Sequence, residues 1–380
     1  MTESDPTLKA AIIGTGRIGD TYDAEMLHYP DIELPGENVH AGTYSVEPKA
    51  HAPAYRSMDE YELIAGANRG VERLQEFGRR HDLEAVYTDY QEMLEETDPD
   101  VVSVCTQSPE KCAAVVACAD HGVDAIIVEK AMATSLSEAD RMIDACNRAG
   151  SILAMGHPMR FSPMFRHVKE TLNQGAIGTF AHLSTHTGSL VHGASHDFDY
   201  LRFLGGGIRS VRARIPELEP DHRVDDPLTG EYPDLSGDAM ITMRNGATAF
   251  VSDTSGATRG MIVRGSDGFL TVPRSTGLLK QFERKQADPA TFDYPGEGGR
   301  DVSWEQESNV GADVNDLDTS ATVKMLSELY QTIVGNEPFV STGEDGRAAL
   351  EAGIACYHSA LTDSTVQLPL DRDDLRVINR

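Results

Sequence analysis

Short apolar runs alternate with longer helical segments through the first 156 residues, and this alternation constrains the fold more than any other feature. Each run has the length of a buried strand, and each longer segment repeats apolar residues every three or four positions. Parallel strands need long crossover connections, usually helices, so the alternation predicts a doubly wound parallel α/β sheet. The predicted strands span 8–14, 62–67, 100–106, 125–129 and 152–156, with helices at 70–81, 111–121 and 135–150.

A glycine-rich turn stands where the first predicted strand ends. The sequence Gly14-Thr15-Gly16-Arg17-Ile18-Gly19 has the GxGxxG spacing. Its glycines permit a tight turn, close approach of the backbone to a pyrophosphate, and close packing of a helix on the strand. The free N–H groups and the dipole of the following helix attract phosphate. We therefore expect a dinucleotide to be bound by Gly14, Gly16, Arg17, Ile18 and Gly19.

The residues after the second strand bear on the choice of dinucleotide. A carboxylate is expected there in NAD sites, where it accepts hydrogen bonds from the ribose hydroxyls. This chain has Asn68 and Arg69, with Asn68 placed 49 residues after Gly19, or 25 once the 24-residue segment 27–50 is set aside. An amide beside a guanidinium can bind a 2′-phosphate. The pair favours NADP over NAD, and the alternative is an Arg69 that only points into solvent.

The pattern divides the chain into two domains. Residues 1–156 form the predicted dinucleotide-binding domain, interrupted at about 27–50 by a segment rich in proline and glycine that we interpret as an inserted loop. From residue 157 to 380, short alternating strands between turn residues predict a mostly antiparallel sheet in a second α/β domain. Within it we predict a polar excursion or lid at 283–315 and helices at about 319–334 and 346–363.

Glu129 and Lys130 stand at the carboxyl end of the predicted strand 125–129. Open α/β sheets bind their ligands at this edge. Lys130 can stabilise the alkoxide that forms as hydride leaves a hydroxyl-bearing carbon, with Glu129 holding it in place. Thr106 ends the neighbouring strand, and we assign Thr106, Glu129 and Lys130 to the cofactor site. An ordinary surface ion pair is the alternative.

The segment 187–199, TGSLVHGASHDFD, is dense in titratable side chains. On a helix, His192, His196 and Asp199 would share one face through i, i+4 and i, i+3 spacing. Histidine titrates near neutral pH and is suited to accept a hydroxyl proton during alcohol oxidation. Further histidines precede the segment, but no HExxH pattern or thiolate set accompanies them, so we expect no metal site.

The charge of the chain argues against several classes of partner. With 61 acidic and 33 basic residues the net charge is −28, which repels phosphate backbones, so we expect no nucleic-acid partner. The basic residues are 8 Lys and 25 Arg, a balance that favours a halophilic source, with an ordinary acidic protein as the alternative. No apolar run approaches the ~20 residues that span a bilayer, and MTESDPTLKAA has no secretory pattern. We expect a cytoplasmic protein with no membrane partner.

Several motifs occur in an order that resembles one enzyme family. They are the Gly14–Gly19 turn, HAPAY at 51–55, EKA at 129–131, GHPMRFSP at 156–163, GxxxHxxxHDFD at 188–199 and FVSTGEDG at 339–346. Together they resemble the Gfo/Idh/MocA family, which includes glucose-fructose oxidoreductase and inositol dehydrogenases. The resemblance implies a Rossmann domain, a C-terminal α/β domain whose open sheet joins subunits into a homodimer or homotetramer, and a nicotinamide cofactor.

The resemblance also implies roles for individual residues. Lys130 matches the lysine that touches substrate and nicotinamide, and His196 matches the usual proton acceptor. Asp199 matches the last aspartate of that motif, and Arg160 lies in a stretch that lines the active site, so both are expected to bind substrate. His192 stands where the family has an aspartate; we assign it to catalysis and substrate binding, although it lacks the fixed negative charge. Ala131 and Lys111 are two further positions at which this sequence departs from the family pattern.

These observations predict an NAD(P)-dependent oxidoreductase that transfers hydride between nicotinamide and a carbinol carbon of a sugar or polyol. Two alternatives remain on the same fold. One is net non-redox glycoside chemistry assisted by bound NAD. The other is a regulatory protein that senses sugar and dinucleotide without turnover, which the missing aspartate favours and the retained Lys130 and His196 oppose.

Overall fold

The computed structural model describes residues 6–26, 48–218, 227–253, 260–273, 280–286, 302–309, 320–335, 337–371 and 375–379. Within these ranges the chain forms a six-stranded parallel sheet, a nine-stranded mixed sheet and a separate two-stranded pair, with helices packed against them. The predicted α/β class is therefore confirmed. Most of the predicted insertion, residues 27–47, lies outside the described residues.

The first sheet is entirely parallel and has the strand order β3-β2-β1-β4-β5-β6. Its strands are β1 Leu8–Ile13, β2 Tyr61–Ala67, β3 Val86–Tyr87, β4 Val101–Val104, β5 Ala125–Glu129 and β6 Ile152–Gly156. The chain reverses its direction of progress across the sheet between β1 and β4. In doubly wound folds such a switch point opens a crevice at the carboxyl ends of the strands, where ligands bind.

Helices connect these strands and begin and end where the sequence provides caps. They are a π-helical turn at Arg17–Thr21, α1 Tyr22–Met26, α2 His51–Arg56, α3 Val71–His81, α4 Tyr90–Thr97, α5 Ser108–His121 and α6 Leu136–Ala149. The Ser135 hydroxyl accepts from the Glu138 N–H at the start of α6, and Gly122 and Gly150 end α5 and α6 in the left-handed conformation. The sequence pattern did not predict α2 or α4.

The second sheet has the order β15-β14-β13-β12-β7-β11-β10-β8-β16 and is antiparallel except where β7 meets β11. Its strands are β7 Phe180–His186, β8 Ile208–Arg214, β10 Asp238–Met243, β11 Thr248–Ser252, β12 Gly260–Gly265, β13 Gly268–Pro273, β14 Lys280–Gln286, β15 Val302–Asn309 and β16 Val366–Gln367. The strands β9 Glu231–Pro233 and β17 Arg376–Ile378 form a parallel pair of their own.

The helices of this half are α7 Pro163–Asn173, α8 Ser195–Gly205, α9 Ala321–Gly335 and α10 Gly343–Thr362, with short 3₁₀ turns at Pro158–Arg160 and Pro227–Thr229. The described parts of 283–315 contradict the predicted excursion, because they are β14 and β15, paired at the end of the sheet. Of the two, β15 is the edge strand, and charged or polar side chains are common on such strands because they discourage pairing with another chain.

The two halves are joined by helices that return to the first sheet. The hydroxyl of Tyr61 on β2 donates to the carbonyl of Leu326 on α9 at 2.8 Å. At the start of α10, Thr342 forms an isolated antiparallel β-bridge with Ala154 of β6. Gly343 packs so closely on β6 that an added Cβ would lie 2.7 Å from the Leu153 side chain. The switch-point crevice is consequently flanked by elements from both halves of the chain.

Candidate active site

A cleft of about 1830 Å³ opens at the carboxyl ends of the first sheet and is closed on its far side by the second half of the chain. Most of the predicted site residues line it together: Gly14, Gly16, Arg17, Ile18, Asn68, Arg69, Thr106, Glu129, Lys130, His192 and His196. Three predicted residues, Gly19, Arg160 and Asp199, are not part of its lining.

The glycine turn has the shape of a phosphate cradle. Gly14 has a φ of +98°, and an added Cβ there would lie 2.8 Å from the carbonyl carbon of Cys105. An added Cβ on Gly19 would lie 2.2 Å from the Gly14 carbonyl oxygen, so Gly19 allows the helix to pack closely on the turn and does not face the cleft. At Gly16, in contrast, the nearest atom to an added Cβ is Arg73 Nη1 at 3.6 Å, because this glycine faces the cleft.

Buried hydroxyls beside the turn also fit a bound dinucleotide. The Oγ1 atoms of Thr15 and Thr106 are buried and have no hydrogen-bond partner among the described residues. Buried polar atoms are rarely left unpaired in native proteins. Thr106 lines the cleft, so a ligand in the crevice is in position to satisfy it.

Asn68 and Arg69 stand at the end of β2, as the spacing predicted. The Asn68 amide donates to the Gly70 carbonyl at 3.2 Å. The Arg69 side chain is 81% exposed and forms an ion pair with Glu110 in the first turn of α5. Arg69 is therefore largely exposed, and it lies at the edge of the cleft with its guanidinium paired to α5.

A buried lysine, Lys111, lies directly beneath the Glu129–Lys130–Ala131 segment. Its ammonium donates to three consecutive carbonyls, those of Glu129 at 2.5 Å, Lys130 at 3.0 Å and Ala131 at 2.8 Å. The residue is only 1% exposed. Burial, and to a smaller extent the charge of nearby Lys130, lowers the pKa of the Lys111 ammonium to about 7, although Glu129 acts in the opposite direction.

The carboxylate of Glu129 is held by a buried polar network. His51 Nε2 lies 3.1 Å from Glu129 Oε1, and His51 Nδ1 lies 2.9 Å from the Ser103 hydroxyl, which also pairs with the Tyr55 hydroxyl at 2.8 Å. Burial by itself raises the pKa of Glu129, but its hydrogen bond to His51 and the charges of His51, Lys111 and Lys130 lower it overall. Glu129 is accordingly an anion, and the side chain that it contacts directly is His51.

The opposite wall of the cleft carries His192 on a loop fixed by Asp234. The Asp234 carboxylate accepts from the His192 N–H at 2.7 Å, the Val191 N–H at 3.0 Å and the Ser189 hydroxyl at 2.6 Å. Lys130 Nζ donates across the cleft to the His192 carbonyl at 3.3 Å. The loop thus brings the two walls into contact.

The His192 imidazole is neutral at ordinary pH. Burial, together with the positive charges of Lys130 and Lys111, lowers the pKa of His192 to about 3. Its Nδ1 is buried without a hydrogen-bond partner among the described residues. The shared helical face predicted for His192 and His196 is wrong, because α8 begins only at Ser195; His196 and Asp199 alone lie on the helix.

Arg160 and Asp199 lie behind the cleft wall, which corrects the expectation that they touch substrate directly. Arg160 Nη2 and Nε pair with the Asp199 carboxylate at 2.7–3.1 Å, and Arg160 also pairs with Asp345 at 2.9 Å. His157 Nδ1 lies 3.2 Å from Asp199. Burial raises the pKa of Asp199, but His157 and Arg160 outweigh it and bring it to about 2. These groups are occupied with one another.

This ionic cluster contacts the cleft wall through the ring of His157. The His157 ring packs edge-on against the ring of His196, with centroids 6.0 Å apart and planes at 76°. His196 lines the cleft, whereas His157 does not. The Arg160–Asp199–His157 cluster is therefore placed to set the orientation of His196.

Sequence reasoning gave no role to Lys111, His51, His157 or Asp234. Asp234 accepts a hydrogen bond from His192, 42 positions away in the sequence, and His51 contacts Glu129, 78 positions away. No local sequence pattern reveals contacts over such separations. A signal existed for Lys111, since a lysine in an otherwise apolar helical segment requires an internal partner.

Across the described ranges, no group of three or more His, Cys, Asp or Glu side chains is arranged to hold a metal ion. No helix in those ranges is long and apolar enough to cross a membrane.

Comparison with known proteins identifies the architecture. Residues 39–157 match the oxidoreductase family with an NAD-binding Rossmann fold, designated GFO_IDH_MocA, and residues 183–368 match the C-terminal alpha/beta domain of the same family. The myo-inositol 2-dehydrogenase of Thermotoga maritima is 25% identical over 339 residues, which cover 84% of this chain and 94% of that protein. The D-apiose dehydrogenase of Paraburkholderia graminis is 35% identical over 129 residues, 34% of either chain.

A solved structure shares the fold over nearly the whole length. The WlbA dehydrogenase from Bordetella pertussis, in complex with NADH and UDP-GlcNAcA, superposes with a TM-score of 0.71 and 19% identity, covering 97% of this chain and 99% of that one. Identity at this level establishes likeness of fold. The first half of this chain is thus an NAD-binding Rossmann domain.

Replacing Gly16 or Gly19 by alanine should distinguish the glycine that binds the cofactor from the one that is also needed for the fold. Gly16→Ala adds a methyl group that meets no backbone but enters the cleft, so we expect an unchanged melting temperature and at least a ~10-fold weaker affinity for NADH or NADPH. Gly19→Ala forces its Cβ against a backbone carbonyl, so both melting temperature and affinity should fall. Calorimetry and fluorescence titration measure the two effects. Wild-type cofactor affinity in Gly16→Ala would contradict the assignment of the cradle.

Buried Lys111 should impose a pH dependence on stability. Its pKa is about 7 in the fold against 10.5 in the unfolded chain, so the unfolded state binds more protons between these values. The unfolding free energy of the wild type should therefore rise relative to Lys111→Met as pH increases from 7 to 10, by up to ~1 kcal/mol per pH unit. Urea unfolding at each pH measures it, with exposed Lys9→Met as the matched control. Parallel pH curves for wild type and Lys111→Met would refute the depressed pKa.

Proposed function

Because this chain belongs to the Gfo/Idh/MocA oxidoreductase family, we propose that it is a dehydrogenase acting on a carbinol carbon of a sugar or polyol with a nicotinamide dinucleotide. The observation that carries the proposal is that Lys130, His192 and His196 face the same cleft as the glycine cradle. Relatives named for myo-inositol and D-apiose support this substrate class.

In the proposed reaction, a bound nicotinamide supplies the hydride acceptor. Lys130 donates a hydrogen bond to the substrate oxygen and stabilises the negative charge that develops there. His196 accepts the hydroxyl proton, held in orientation by the ring of His157 and the Asp199 carboxylate behind it. Arg160 and Asp199 act in this scheme as positioning residues.

His192 is proposed to bind a substrate hydroxyl as a neutral imidazole. With a pKa of about 3 it carries no charge at neutral pH, so one of its ring nitrogens donates a hydrogen bond and the other accepts one. It therefore supplies directional hydrogen bonding in place of the charge of an aspartate. Lys111 fixes the backbone of Lys130 from below, and Asp234 fixes that of His192 from the side.

For the cofactor we propose NADP, with NAD as the alternative. The end of β2 carries no carboxylate to accept ribose hydroxyls, and Asn68 and Arg69 both line the cleft there. A guanidinium forms strong, bidentate hydrogen bonds with a phosphate. Glu110, which now pairs with Arg69, would have to share that guanidinium with a 2′-phosphate.

We also propose that the protein works in the cytoplasm as a homodimer or homotetramer assembled through the nine-stranded sheet. Met240 on β10 and Phe250 on β11 are neighbours across that sheet and are 56% and 42% exposed. Exposed large apolar side chains next to each other are typical of an interface between proteins. A sensor that binds sugar and dinucleotide without turnover is the second candidate function, favoured by the absence of a carboxylate at His192.

Turnover assays test the proposed dehydrogenase. Absorbance of reduced nicotinamide should report turnover with NADP⁺ or NAD⁺ and at least one aldose, polyol or inositol. Lys130→Ala and His196→Ala should each lower kcat by about 10²–10⁴-fold, because they remove alkoxide stabilisation and proton transfer. His121→Ala, at the far end of α5, is the control. Full turnover in His196→Ala would refute its role, and cofactor binding without any turnover would favour the sensor.

The cofactor preference has its own test. Arg69→Ala should weaken NADPH binding about 10-fold or more and leave NADH binding nearly unchanged, because only NADPH carries the phosphate that Arg69 would bind. Exposed Arg79→Ala on α3 serves as the control. Dissociation constants come from fluorescence titration at one fixed salt concentration. If Arg69→Ala changed both affinities equally, the preference for NADP would be wrong.

A further inference from the structure

The segment 375–379, which we call the strap, lies far from the sequence motifs and yet reaches the cleft. Its last residue, Asn379, is part of the cleft lining together with Ser236 and His192. We propose that Asn379 is a substrate-binding residue that recognises a hydroxyl group away from the reacting carbon. This inference rests on the proposed function and adds a specificity-determining contact to it.

One side of the strap is fixed to the second half of the chain. β17 pairs in parallel with β9, so that Ile378 lies opposite Pro233, and the Asp234 N–H donates to the Ile378 carbonyl at 3.0 Å. Leu375 and Val377 are fully buried at 0% and 1% exposure. Burial of two apolar side chains and a backbone ladder hold the strap in place without help from a ligand.

The other side of the strap is fixed near the lysine of the site. The Val377 N–H donates to the Thr134 carbonyl at 2.9 Å, and Arg376 Nη2 donates to the Thr134 hydroxyl and to Glu138, both at 2.9 Å. Thr134 follows Lys130 by four residues in the chain. The strap thus bridges the segment that carries Lys130 and the strand that precedes Asp234.

The position of Asn379 follows from these bonds. Ile378 is hydrogen-bonded to the backbone of Asp234, and the carboxylate of Asp234 holds the N–H of His192 at 2.7 Å. Asn379 comes directly after Ile378, so it lines the cleft beside the loop that carries His192. His192 is one of the residues proposed to bind the substrate, so Asn379 is placed next to that part of the site.

The chemistry of the amide selects the class of ligand. An asparagine side chain offers two donors and one acceptor without a charge. A hydroxyl group both donates and accepts, so a polyhydroxylated substrate can satisfy the amide in either sense. Because the strap is already ordered by its own bonds, little conformational entropy is lost when the substrate binds. An interaction distant from the reacting carbon contributes equally to ground state and transition state, and its loss raises KM more than it lowers kcat.

The test compares Asn379→Ala with Asn147→Ala, which removes an exposed asparagine from α6, away from the cleft. With the best polyol found for the wild type, KM should rise about 10-fold in Asn379→Ala, while kcat and the dissociation constant for NADPH stay within about 2-fold. A deoxy substrate series should identify one hydroxyl whose removal raises KM in the wild type and has no further effect in Asn379→Ala.

The outcomes separate the two proposals. An unchanged KM in Asn379→Ala, or an equal loss of cofactor affinity, would overturn the role of the strap and leave the dehydrogenase intact. If the wild type turned over no substrate, the proposed function would fail, and melting-temperature shifts caused by polyols in the presence of NADPH would then test Asn379 directly. A shift abolished by Asn379→Ala would support the binding role, and no shift in either protein would overturn it.

Discussion

The ammonium of Lys111, enclosed by three backbone carbonyls, is the interaction on which the geometry of the site depends. A charge removed from water costs several kcal/mol unless hydrogen bonds replace its hydration. Here the carbonyls of Glu129, Lys130 and Ala131 provide those bonds at 2.5–3.0 Å. The segment cannot shift without leaving the ammonium unsatisfied, so the backbone of Lys130 is fixed from inside the Rossmann domain. The Glu129 carboxylate on the same segment is fixed in turn by His51.

The opposite wall is held in place by two carboxylates, the half-buried Asp234 and the fully buried Asp199. Asp234 binds the N–H groups of the loop that carries His192, and Asp199 binds Arg160 and His157 behind His196. Because Arg160 also reaches Asp345 at the beginning of α10, the orientation of α8 is tied to a helix that packs on the first sheet. The two walls of the cleft are consequently coupled through charged groups that are not part of its lining.

The sequence predicted those features that depend on neighbouring residues. Strand and helix alternation, the glycine turn, the end of β2 and the Glu129–Lys130 pair all follow from periods and spacings of a few residues, and the structure has each of them. Contacts between distant positions escaped prediction: Asp234 with His192, His51 with Glu129 and Arg160 with Asp345. The prediction that His192 and His196 share one helical face was wrong, because residue spacing alone does not reveal where a helix begins. Arg160 looked like a ligand for substrate because a sequence does not show that a neighbouring carboxylate already occupies it.

The histidine at position 192 changes the electrostatics of the cleft more than its shape. A carboxylate there would face Lys130 and share the neutralisation of its charge, whereas the neutral imidazole leaves that task to Glu129. Glu129 already interacts with His51 and Lys111, so these two groups and Lys130 share one buried negative charge. The positive charge of Lys130 therefore meets no negative charge at position 192, in a partly buried region where charges interact more strongly than in water. For the proposed reaction, the charge of Lys130 favours the alkoxide form of a bound substrate, so a histidine at this position is compatible with catalysis and leaves more of the stabilisation to Lys130.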